Sequence, residues 1–314
     1  MESIEKLIYD GDPGHDDALA IILAAGNPKL ELLGVTTVGG NTSLENVTKN
    51  ALMLMDLMDK DIPVIPGCAG PLVRELKTAP MVHGESGLAG AKLFEPRHRP
   101  VNEHAVDWII DTLMNSDGDI NVVTGGPMTN LALAVSREPR IIPKIKSHLM
   151  MAGGTFGNMT GTAEFNVWAD AEAAKVMFKA DIKKRVMCGL NLTHQARATK
   201  EIFDKLSEIK TPLGVFVNDF MQFYAKGPIA VKGGGPAIND ACPVAYLINP
   251  DVFTTEFLHV DIETGGEFTY GTTVIDRFRM NPWKDAGEPN TYVGMNINID
   301  IFWDLLLSAI KSFK

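Results

Sequence analysis

Short apolar runs and longer amphipathic stretches alternate along the first two thirds of the chain. The short runs predict buried strands at residues 6–9, 32–38, 64–65, 120–124 and 148–152. Between and after them, apolar residues recur at helical spacing at residues 18–25, 44–58, 105–114, 128–135 and 169–179. Because alternating strands and helices indicate βαβ units, we predict an α/β fold with an open, mostly parallel sheet flanked by helices.

The last third of the chain is less regular. It predicts helices at residues 215–226, 240–247 and 302–313, a glycine-rich loop at 233–236, and strands at 257–262, 268–274 and 292–299. We find no internal repeat, low-complexity tract or long linker. The sequence therefore predicts one domain over residues 1–314.

Composition and charge narrow the class of protein. The 314 residues are 45% hydrophobic and 22% charged, which is ordinary for a folded domain and excludes a disordered chain. There are 29 Lys and Arg against 39 Asp and Glu, a net charge of −10, which argues against a nucleic-acid partner. The longest apolar run, residues 18–25, is too short to cross a bilayer, so we expect no membrane partner.

The cysteines and the first residues bear on localisation. Cys68, Cys188 and Cys242 lie far apart and form no Cys-x-x-Cys pair, which argues against a disulfide scaffold. Residues 1–10 carry two glutamates and no apolar targeting segment. These features predict a soluble protein of a reducing compartment, the cytoplasm.

Residues 10–17 hold four carboxylates where the first predicted strand passes into the first helix. Ligands of open α/β sheets bind at the carboxyl ends of the strands. Helix capping accounts for Asp16 and Asp17 but not for all four acids. Clustered carboxylates raise one another's pKa unless a cation holds them, and an all-oxygen set favours calcium or magnesium over zinc. We therefore predict a divalent-cation site in this loop.

The acidic segment, Asp-Gly-Asp-Pro-Gly-His-Asp-Asp, resembles the DxDPGxDD signature of the inosine-uridine-preferring nucleoside hydrolase family. Further blocks match the family in order at residues 36–41, 83–87, 126–130, 163–166 and 240–246. The resemblance covers almost the whole chain and implies the nucleoside hydrolase fold with its Rossmann-like core. It implies hydrolysis of the N-glycosidic bond of purine or pyrimidine ribonucleosides to ribose and free base, a bound Ca²⁺, and a homodimer or homotetramer.

The resemblance also implies a calcium site. It assigns carboxylate ligands to Asp12, Asp17 and Asp240 and a carbonyl ligand to Gly125, with Thr124 as the alternative. Calcium takes about six to eight oxygens, which leaves positions for a water and the ribose hydroxyls. Asp12 is the implied general base, because a carboxylate beside a metal-activated water can accept its proton.

The residues implied to hold the sugar are Asp16, Asn41, Asn158, Glu164 and Asn166. Their carboxylates and amides offer the donors and acceptors that hydroxyl groups need. Asn41 and Asn158 both follow glycines, so a turn position with positive φ is the alternative for each. Glu164 and Asn166 are two residues apart, which places both on one side of an extended segment.

His83 and Asn239 are implied to lie near the base. His83 belongs to a predicted mobile loop over the pocket, where it either contacts the base or is solvated. Many family members carry His at the position of Asn239 and use it to protonate the leaving base, which an amide cannot do. Either that task falls to His83, Tyr224 or a chain of waters, or the enzyme favours bases that leave more easily. We interpret the other histidines, including His15 and His194, as surface or core residues.

Two other functions fit part of the pattern. A calcium-dependent nucleoside or ribose binder without turnover is compatible with Asn239. A haloacid-dehalogenase-type phosphatase would use Asp10 and Asp12 as nucleophile and acid. Against the phosphatase, Gly14 stands where that family expects Thr or Val, and no phosphate-binding lysine is identifiable.

Overall fold

The computed structural model describes residues 4–277 and 287–314. Its strands are β1 (Glu5–Gly11), β2 (Leu30–Thr37), β3 (Val64–Pro66), β4 (Ile120–Thr124), β5 (Ile145–Met151), β6 (Arg185–Cys188), β7 (Phe253–Leu258), β8 (Val260–Ile262), β9 (Thr273–Ile275) and β10 (Thr291–Ile297). All but β8 and β9 form one sheet in the order β3-β2-β1-β4-β5-β6-β10-β7, and β8 pairs with β9 in a separate ribbon. Neighbours in the large sheet are parallel except β10 and β7.

Helices connect the strands and cover the sheet. They are α1 (His15–Gly26), α2 (Leu44–Met58), α3 (Pro80–His83), α4 (Ala105–Met114), α5 (Thr129–Arg137), α6 (Phe165–Ala169), α7 (Ala171–Lys179), α8 (Leu190–Thr193), α9 (Lys200–Ser207), α10 (Pro212–Tyr224), α11 (Pro228–Gly233), α12 (Ala241–Ile248) and α13 (Ile299–Ser312). Short 3-10 helices occupy Pro139–Lys144 and Pro250–Val252. Within the described residues, no helix is long and apolar enough to cross a membrane.

The sheet separates two hydrophobic cores. Leu7 on β1 packs into a core built with α1, α2, α10, α12 and α13, whereas the next residue, Ile8, packs into a core built with α4, α5 and α7. Successive residues of a strand point to opposite faces, so a strand covered on both faces is apolar throughout. This double burial explains why the first five strands are readable as short continuous apolar runs.

The strand order reverses between β1 and β4. The chain passes from β1 outward to β2 and β3, then returns to place β4 on the other side of β1. In open parallel sheets, the crevice at the carboxyl ends of the strands flanking such a reversal is the usual ligand site. Asp12 lies in the loop after β1, and Asp16 and Asp17 lie in the first turn of α1, so the topology brings these acids to this crevice.

The predicted α/β class and the first five strands are confirmed, but the last third differs in detail. The strand predicted at 257–262 is wrong, since β7 ends at Leu258 in the large sheet and β8 begins at Val260 in the ribbon. The strand predicted at 268–274 is largely a turn, and only its end belongs to β9. Strand β6 and helix α9 have no counterpart in the prediction. Strand β6 is only four residues long, which is too short for a clear hydrophobic pattern.

Asp10 and Asn130 fasten the carboxyl ends of the central strands. The Asp10 carboxylate accepts hydrogen bonds from Thr36 Oγ1 at 2.6 Å and from Asn130 Nδ2 at 2.8 Å. Asn130 also donates to the Thr37 carbonyl at 3.0 Å and accepts from the Cys68 backbone N–H at 2.8 Å. Both side chains are fully buried. The ends of β1 and β2 and the start of α5 are thereby held in one arrangement.

We predict that Asn130→Ala lowers the free energy of unfolding by about 2–4 kcal/mol, because it removes three buried hydrogen bonds and leaves polar partners unsatisfied. Urea denaturation followed by circular dichroism measures the change. Asn115→Ala is the matched control: Asn115 is exposed and bonds only its own helix end, so a change within about 0.5 kcal/mol is expected. Equal losses in the two variants would contradict the fastening role of Asn130.

Candidate active site

A cavity of about 450 Å³ opens at the carboxyl edge of the sheet beside β1 and β4. The predicted site residues that line it are Asp16, Asn41, His83, Gly125, Asn158, Glu164, Asn166, Asn239 and Asp240. Asp12 and Asp17 lie directly behind this lining and are fully buried. Residues from distant parts of the chain therefore meet at the crevice that the sheet topology creates.

Three carboxylates meet at the floor of the cavity. Asp16 and Asp17 in the first turn of α1 and Asp240 before α12 each offer an oxygen within 4.8 Å of the others, and all three are buried. Burial and the neighbouring acids raise the pKa of Asp240 well above its ordinary value and that of Asp17 to about 6. Within the described residues no lysine or arginine lines the cavity, so the negative charge has no basic partner there.

Asp12 adjoins this cluster with one oxygen free. Its Oδ2 accepts the Asn41 backbone N–H at 2.6 Å, whereas its buried Oδ1 has no hydrogen-bond partner among the described residues. Burial, reinforced by the charge of Asp17, raises the pKa of Asp12 well above its usual range. A Cβ on Gly126 would lie 2.6 Å from Asp12 Oδ1, so only glycine admits the carboxylate here. An unpartnered buried carboxylate oxygen beside three acids fits a divalent cation.

Asp17 is held by groups that the sequence did not reveal. Its Oδ1 accepts a hydrogen bond from Tyr9 Oη at 2.9 Å, and its Oδ2 accepts from the Gly14 backbone at 3.2 Å and Asn41 Nδ2 at 3.3 Å. A Cβ on Gly125 would lie 2.1 Å from Tyr9 Oη. Gly125 is therefore required by close packing, and its carbonyl remains directed towards the cavity side chains.

The amides of Asn166 and Asn158 are fixed in orientation. Asn166 Nδ2 donates to the Gly125 carbonyl at 2.7 Å and to the Met151 carbonyl at 3.0 Å, which leaves its Oδ1 as an acceptor. Asn158 Oδ1 accepts the Phe165 backbone N–H at 2.9 Å, which leaves its Nδ2 as a donor. One amide thus offers an acceptor and the other a donor to a ligand with hydroxyl groups.

Glu164 and Asn166 share the cavity for a different reason from the predicted one. The extended-segment interpretation is wrong, because Glu164 is the N-cap of α6 and Asn166 lies in its first turn. The Glu164 carboxylate accepts backbone N–H groups of Gly153 at 2.9 Å, Asn166 at 2.8 Å and Val167 at 3.2 Å. Burial nevertheless raises its pKa to about 7, since these bonds offset only part of the desolvation.

The alternative in which Asn41 and Asn158 serve only as turn residues with positive φ is wrong. Within the described residues, Asp59 is the one non-glycine with positive φ. The Asn41 side chain instead bridges the Asp12 carbonyl at 3.1 Å and the Asp17 carboxylate. Both asparagines therefore act through their side chains.

Asn239 is hydrogen-bonded at both ends of its amide. Its Oδ1 accepts from Thr193 Oγ1 at 2.8 Å, and its Nδ2 donates to Asp16 Oδ2 at 2.7 Å. The Asp16 carboxylate decides which end of the amide is nitrogen, since an ionised carboxylate only accepts, and the threonine hydroxyl then donates to the oxygen at the other end. Asn239 orients Asp16 towards the cavity.

The aromatic side chains in the cavity lining are those of His83, Phe165, His194 and Tyr224. The expectation of a solvated loop position for His83 is wrong, because it ends α3 with its side chain buried, which lowers its pKa to about 4. His194 was interpreted as a surface or core residue and is instead half-buried in the lining. No local pattern marks it, since α8 is only four residues long.

Comparison with known proteins identifies the family. A family model described as inosine-uridine preferring nucleoside hydrolase matches residues 7–304. This chain belongs to that family. The pyrimidine-specific ribonucleoside hydrolase RihB of Escherichia coli O1:K1 is 41% identical over 98% of this chain and 97% of its own length.

Solved structures of the nucleoside hydrolase family agree with the fold. A purine-preferring ribonucleoside hydrolase from Gardnerella vaginalis superposes with a TM-score of 0.90 at 29% identity and covers 98% of both chains. A plant nucleoside hydrolase, PpNRh1, superposes with a TM-score of 0.91 at 28% identity over 98% of this chain and 99% of its own. The activity of this nucleoside hydrolase is therefore hydrolysis of ribonucleosides to ribose and free base.

Family membership and the position of Asp10 both exclude the phosphatase alternative. The chain is a nucleoside hydrolase, and Asp10, the residue a phosphatase would use as nucleophile, is fully buried outside the cavity lining. Its Oδ1 is occupied by Thr36 and Asn130. A carboxylate so enclosed cannot reach a phosphate ester.

The raised carboxyl pKa values predict that stability depends on pH when divalent ions are removed. Asp10 and Asp17 have pKa values raised from 3.8 to about 6 in the folded protein. Between these values the folded state binds more protons than the unfolded state at these groups, so their contribution to the free energy of unfolding falls as pH rises through this window. Burial acts in the opposite direction on His15, His83 and His148, whose pKa values are lowered from 6.5 to about 3, about 4 and about 3, so their contribution to the free energy of unfolding rises with pH over part of the same window. The contribution of the acids is therefore isolated by comparing the protein with and without calcium at pH 5 and at pH 8.

Added calcium should raise the melting temperature more at pH 8 than at pH 5, because only the ionised cluster binds it well. Differential scanning calorimetry with and without a chelator measures the rise at each pH, with potassium at equal ionic strength as the control. An identical melting temperature with and without calcium at both pH values would contradict a cation site.

Proposed function

We propose that this nucleoside hydrolase depends on Ca²⁺ and acts on pyrimidine ribonucleosides. The observation that carries the metal proposal is the buried cluster of Asp16, Asp17 and Asp240, with the free Oδ1 of Asp12 beside it and no lysine or arginine among the described residues of the cavity lining. Carboxylate oxygens, with the Gly125 carbonyl near them, make an all-oxygen donor set of the kind that calcium prefers.

The proposed ligands are Asp12, Asp17, Asp240 and the Gly125 carbonyl. The Gly125 oxygen already accepts one hydrogen bond from Asn166, and a carbonyl has a second lone pair for a cation. When bound, the ion would hold vicinal hydroxyls and lower the pKa of an attacking water. Asp16 also lies within the cluster, and Asn239 holds its carboxylate in the orientation that faces a ribose hydroxyl.

The sugar is bound in this proposal by hydrogen bonds of matched polarity. Asn166 offers an acceptor, Asn158 a donor and Glu164 a carboxylate, all from one segment that follows β5. A carboxylate beside the ring stabilises positive charge that develops as the glycosidic bond breaks. A deoxyribose lacks one hydroxyl and would leave a buried partner unsatisfied, which supports a preference for ribonucleosides.

Asp12 is the proposed general base. Its Oδ2 is fixed by the Asn41 backbone, and its Oδ1 is free to accept a proton from water. The high pKa that burial and Asp17 give it favours proton acceptance once the neighbouring charge is balanced. The water then attacks the anomeric carbon, and the electron pair of the glycosidic bond leaves with the base.

The leaving base receives no proton from position 239. Both ends of the Asn239 amide are engaged, and an amide does not ionise at neutral pH. Tyr224 donates to the Ala237 carbonyl at 3.2 Å, and burial and nearby acids raise its pKa well above 10. His83 is neutral at physiological pH, since its pKa is lowered to about 4. We infer that the base leaves with a proton from water.

The proposed pyrimidine preference rests on RihB, whose name gives pyrimidine specificity and which shares 41% of its residues with this chain. The structural relative named as purine-preferring shares 29%. Hydrolysis of uridine, cytidine, inosine and adenosine, followed as release of reducing sugar, tests the preference. The same assay excludes a binder without turnover if ribose is released. A higher kcat/KM for inosine than for uridine would contradict the proposal.

We predict that Asp12→Asn lowers kcat by at least about a thousandfold, because the amide neither accepts the proton nor provides a charged ligand. Steady-state kinetics on uridine measures the loss. Asp10→Asn is the matched control, since it changes a buried aspartate two residues away whose hydrogen bonds to Thr36 and Asn130 an amide oxygen can keep. A comparable loss in both variants would argue against a specific role for Asp12.

We predict that Asn239→His raises kcat for inosine by about tenfold or more and changes kcat for uridine less, because an imidazole can transfer a proton to a purine leaving group. Asn239→Ala serves as the control and should lower the rate on both nucleosides, since Asp16 loses its partner. No gain with inosine would remove the leaving-group argument.

The homodimer or homotetramer and the cytoplasmic location implied by the resemblance stay predictions. Light scattering of the purified protein measures the first, and cell fractionation tests the second.

A further inference from the structure

The imidazole of His15 lies behind the cavity and outside its described lining. His15 begins α1 and is fully buried. Its Nε2 bonds to the Ala89 carbonyl oxygen at 2.9 Å, and its Nδ1 lies 3.0 Å from Nδ1 of His83. Both ring nitrogens of His15 therefore contact the segment that delivers His83 to the cavity.

The same ring stacks against the cavity's aromatic side chains. The His15 ring centroid lies 5.0 Å from that of Tyr224 with an interplanar angle of 15°, and 5.1 Å from that of His83 with an angle of 24°. His83 and Tyr224 both line the cavity, and their own rings are 5.6 Å apart. We call these two residues the aromatic wall.

Tyr224 is also held by its hydrogen bond to the Ala237 carbonyl at 3.2 Å. Within the described residues, the polar contacts of the His83 ring are with His15 alone: His83 Nδ1 lies 3.0 Å from the His15 ring Nδ1 and 3.3 Å from the His15 backbone nitrogen. Because one ring nitrogen either donates or accepts, His83 Nδ1 cannot donate to the ring while it accepts from the backbone N–H. The approach is tight, because a Cβ on Gly14 would lie 2.7 Å from His83 Nδ1. Tyr224 is 141 residues further along the chain and shares no described hydrogen bond with His83. His15 is the group that contacts both.

The polar and the aromatic side chains of the cavity match different parts of a nucleoside. Carboxylates and amides match the ribose hydroxyls, whereas flat ring faces match a planar base, which stacks on aromatic side chains. We propose that His15 is a positioning residue that holds the aromatic wall in place for the base, without contacting the substrate itself. This inference rests on the proposed function, which places the sugar against the polar side chains and the base against the aromatic wall.

His15→Phe tests the inference, because it keeps a ring for stacking and removes both nitrogen contacts. We expect KM for the nucleoside to rise about tenfold, as for loss of a buried hydrogen bond, with a smaller change in kcat. The inhibition constant of ribose alone should stay within about twofold, since the described hydrogen bonds and ring contacts of the His15 side chain involve none of the proposed sugar-binding residues. The ring ¹⁵N resonances of His83 should shift in the variant.

Phe220→Leu is the matched control. Phe220 is buried, and its ring centroid lies 5.5 Å from that of His15. Its side chain has no hydrogen-bonding atom, so it makes no hydrogen bond to the aromatic wall. We expect a similar fall in melting temperature in the two variants. Only His15→Phe should raise the nucleoside KM relative to the ribose inhibition constant.

The inference is overturned if His15→Phe changes the nucleoside KM and the ribose constant by the same factor, or if the His83 resonances stay in place. Should that variant not fold, His15→Gln, whose amide can still donate to the Ala89 carbonyl, is measured against the same two outcomes. The nucleoside used is whichever one the wild-type protein hydrolyses fastest. Failure of the pyrimidine preference is therefore seen in the wild type alone and leaves this comparison intact.

Discussion

Everything in this site depends on holding like charges together where water is scarce. At 4.8 Å and an effective dielectric constant near 20, two carboxylates repel by about 3 kcal/mol, a large fraction of the 5–15 kcal/mol by which a domain is stable. The protein opposes this repulsion with fixed donors: the Asn41 amide, Tyr9 Oη and the backbone of the acidic loop. Such donors fix the positions of the acids but do not neutralise their negative charge. A bound cation would neutralise it.

The sheet supplies the place for this arrangement. Reversal of strand order between β1 and β4 opens a crevice, and the Gly125 N–H bonds to the Asp10 carbonyl at 2.8 Å across it. Asp10 and Asn130 then fix the strand ends from behind. Glycines at 125 and 126 let the β4 loop approach Tyr9 and Asp12 more closely than any side chain would permit. Strand order, strand-end hydrogen bonds and small residues thus together fix the backbone where β1 and β4 end.

The parts of this structure that the sequence predicted are those fixed by local pattern. Doubly covered strands are apolar along their whole length, so β1 to β5 were predicted, and the acidic segment stands out because four aspartates fall within eight residues. The contacts of His15 and His194 were not predictable, since they depend on segments tens of residues or more away in the chain. Tyr9 meets Asp17 only eight residues on, but no local pattern marks that contact, because it spans the turn from β1 into α1. Glu164 was selected by resemblance, but its geometry was misjudged, because a carboxylate two residues from an amide fits a helix cap as well as an extended segment.

Asn239 shows how an amide in place of a histidine changes what one position does in such a site. An amide between Thr193 and Asp16 is a fixed hydrogen-bond bridge, whereas an imidazole there would carry an exchangeable proton. The bridge keeps Asp16 oriented and adds no charge to a cavity that already concentrates acids. In the proposed mechanism, the residue therefore serves sugar binding and not activation of the base. Catalysis then depends on how well the acidic side of the cavity promotes water attack and how firmly the opposite side holds the base while the bond breaks.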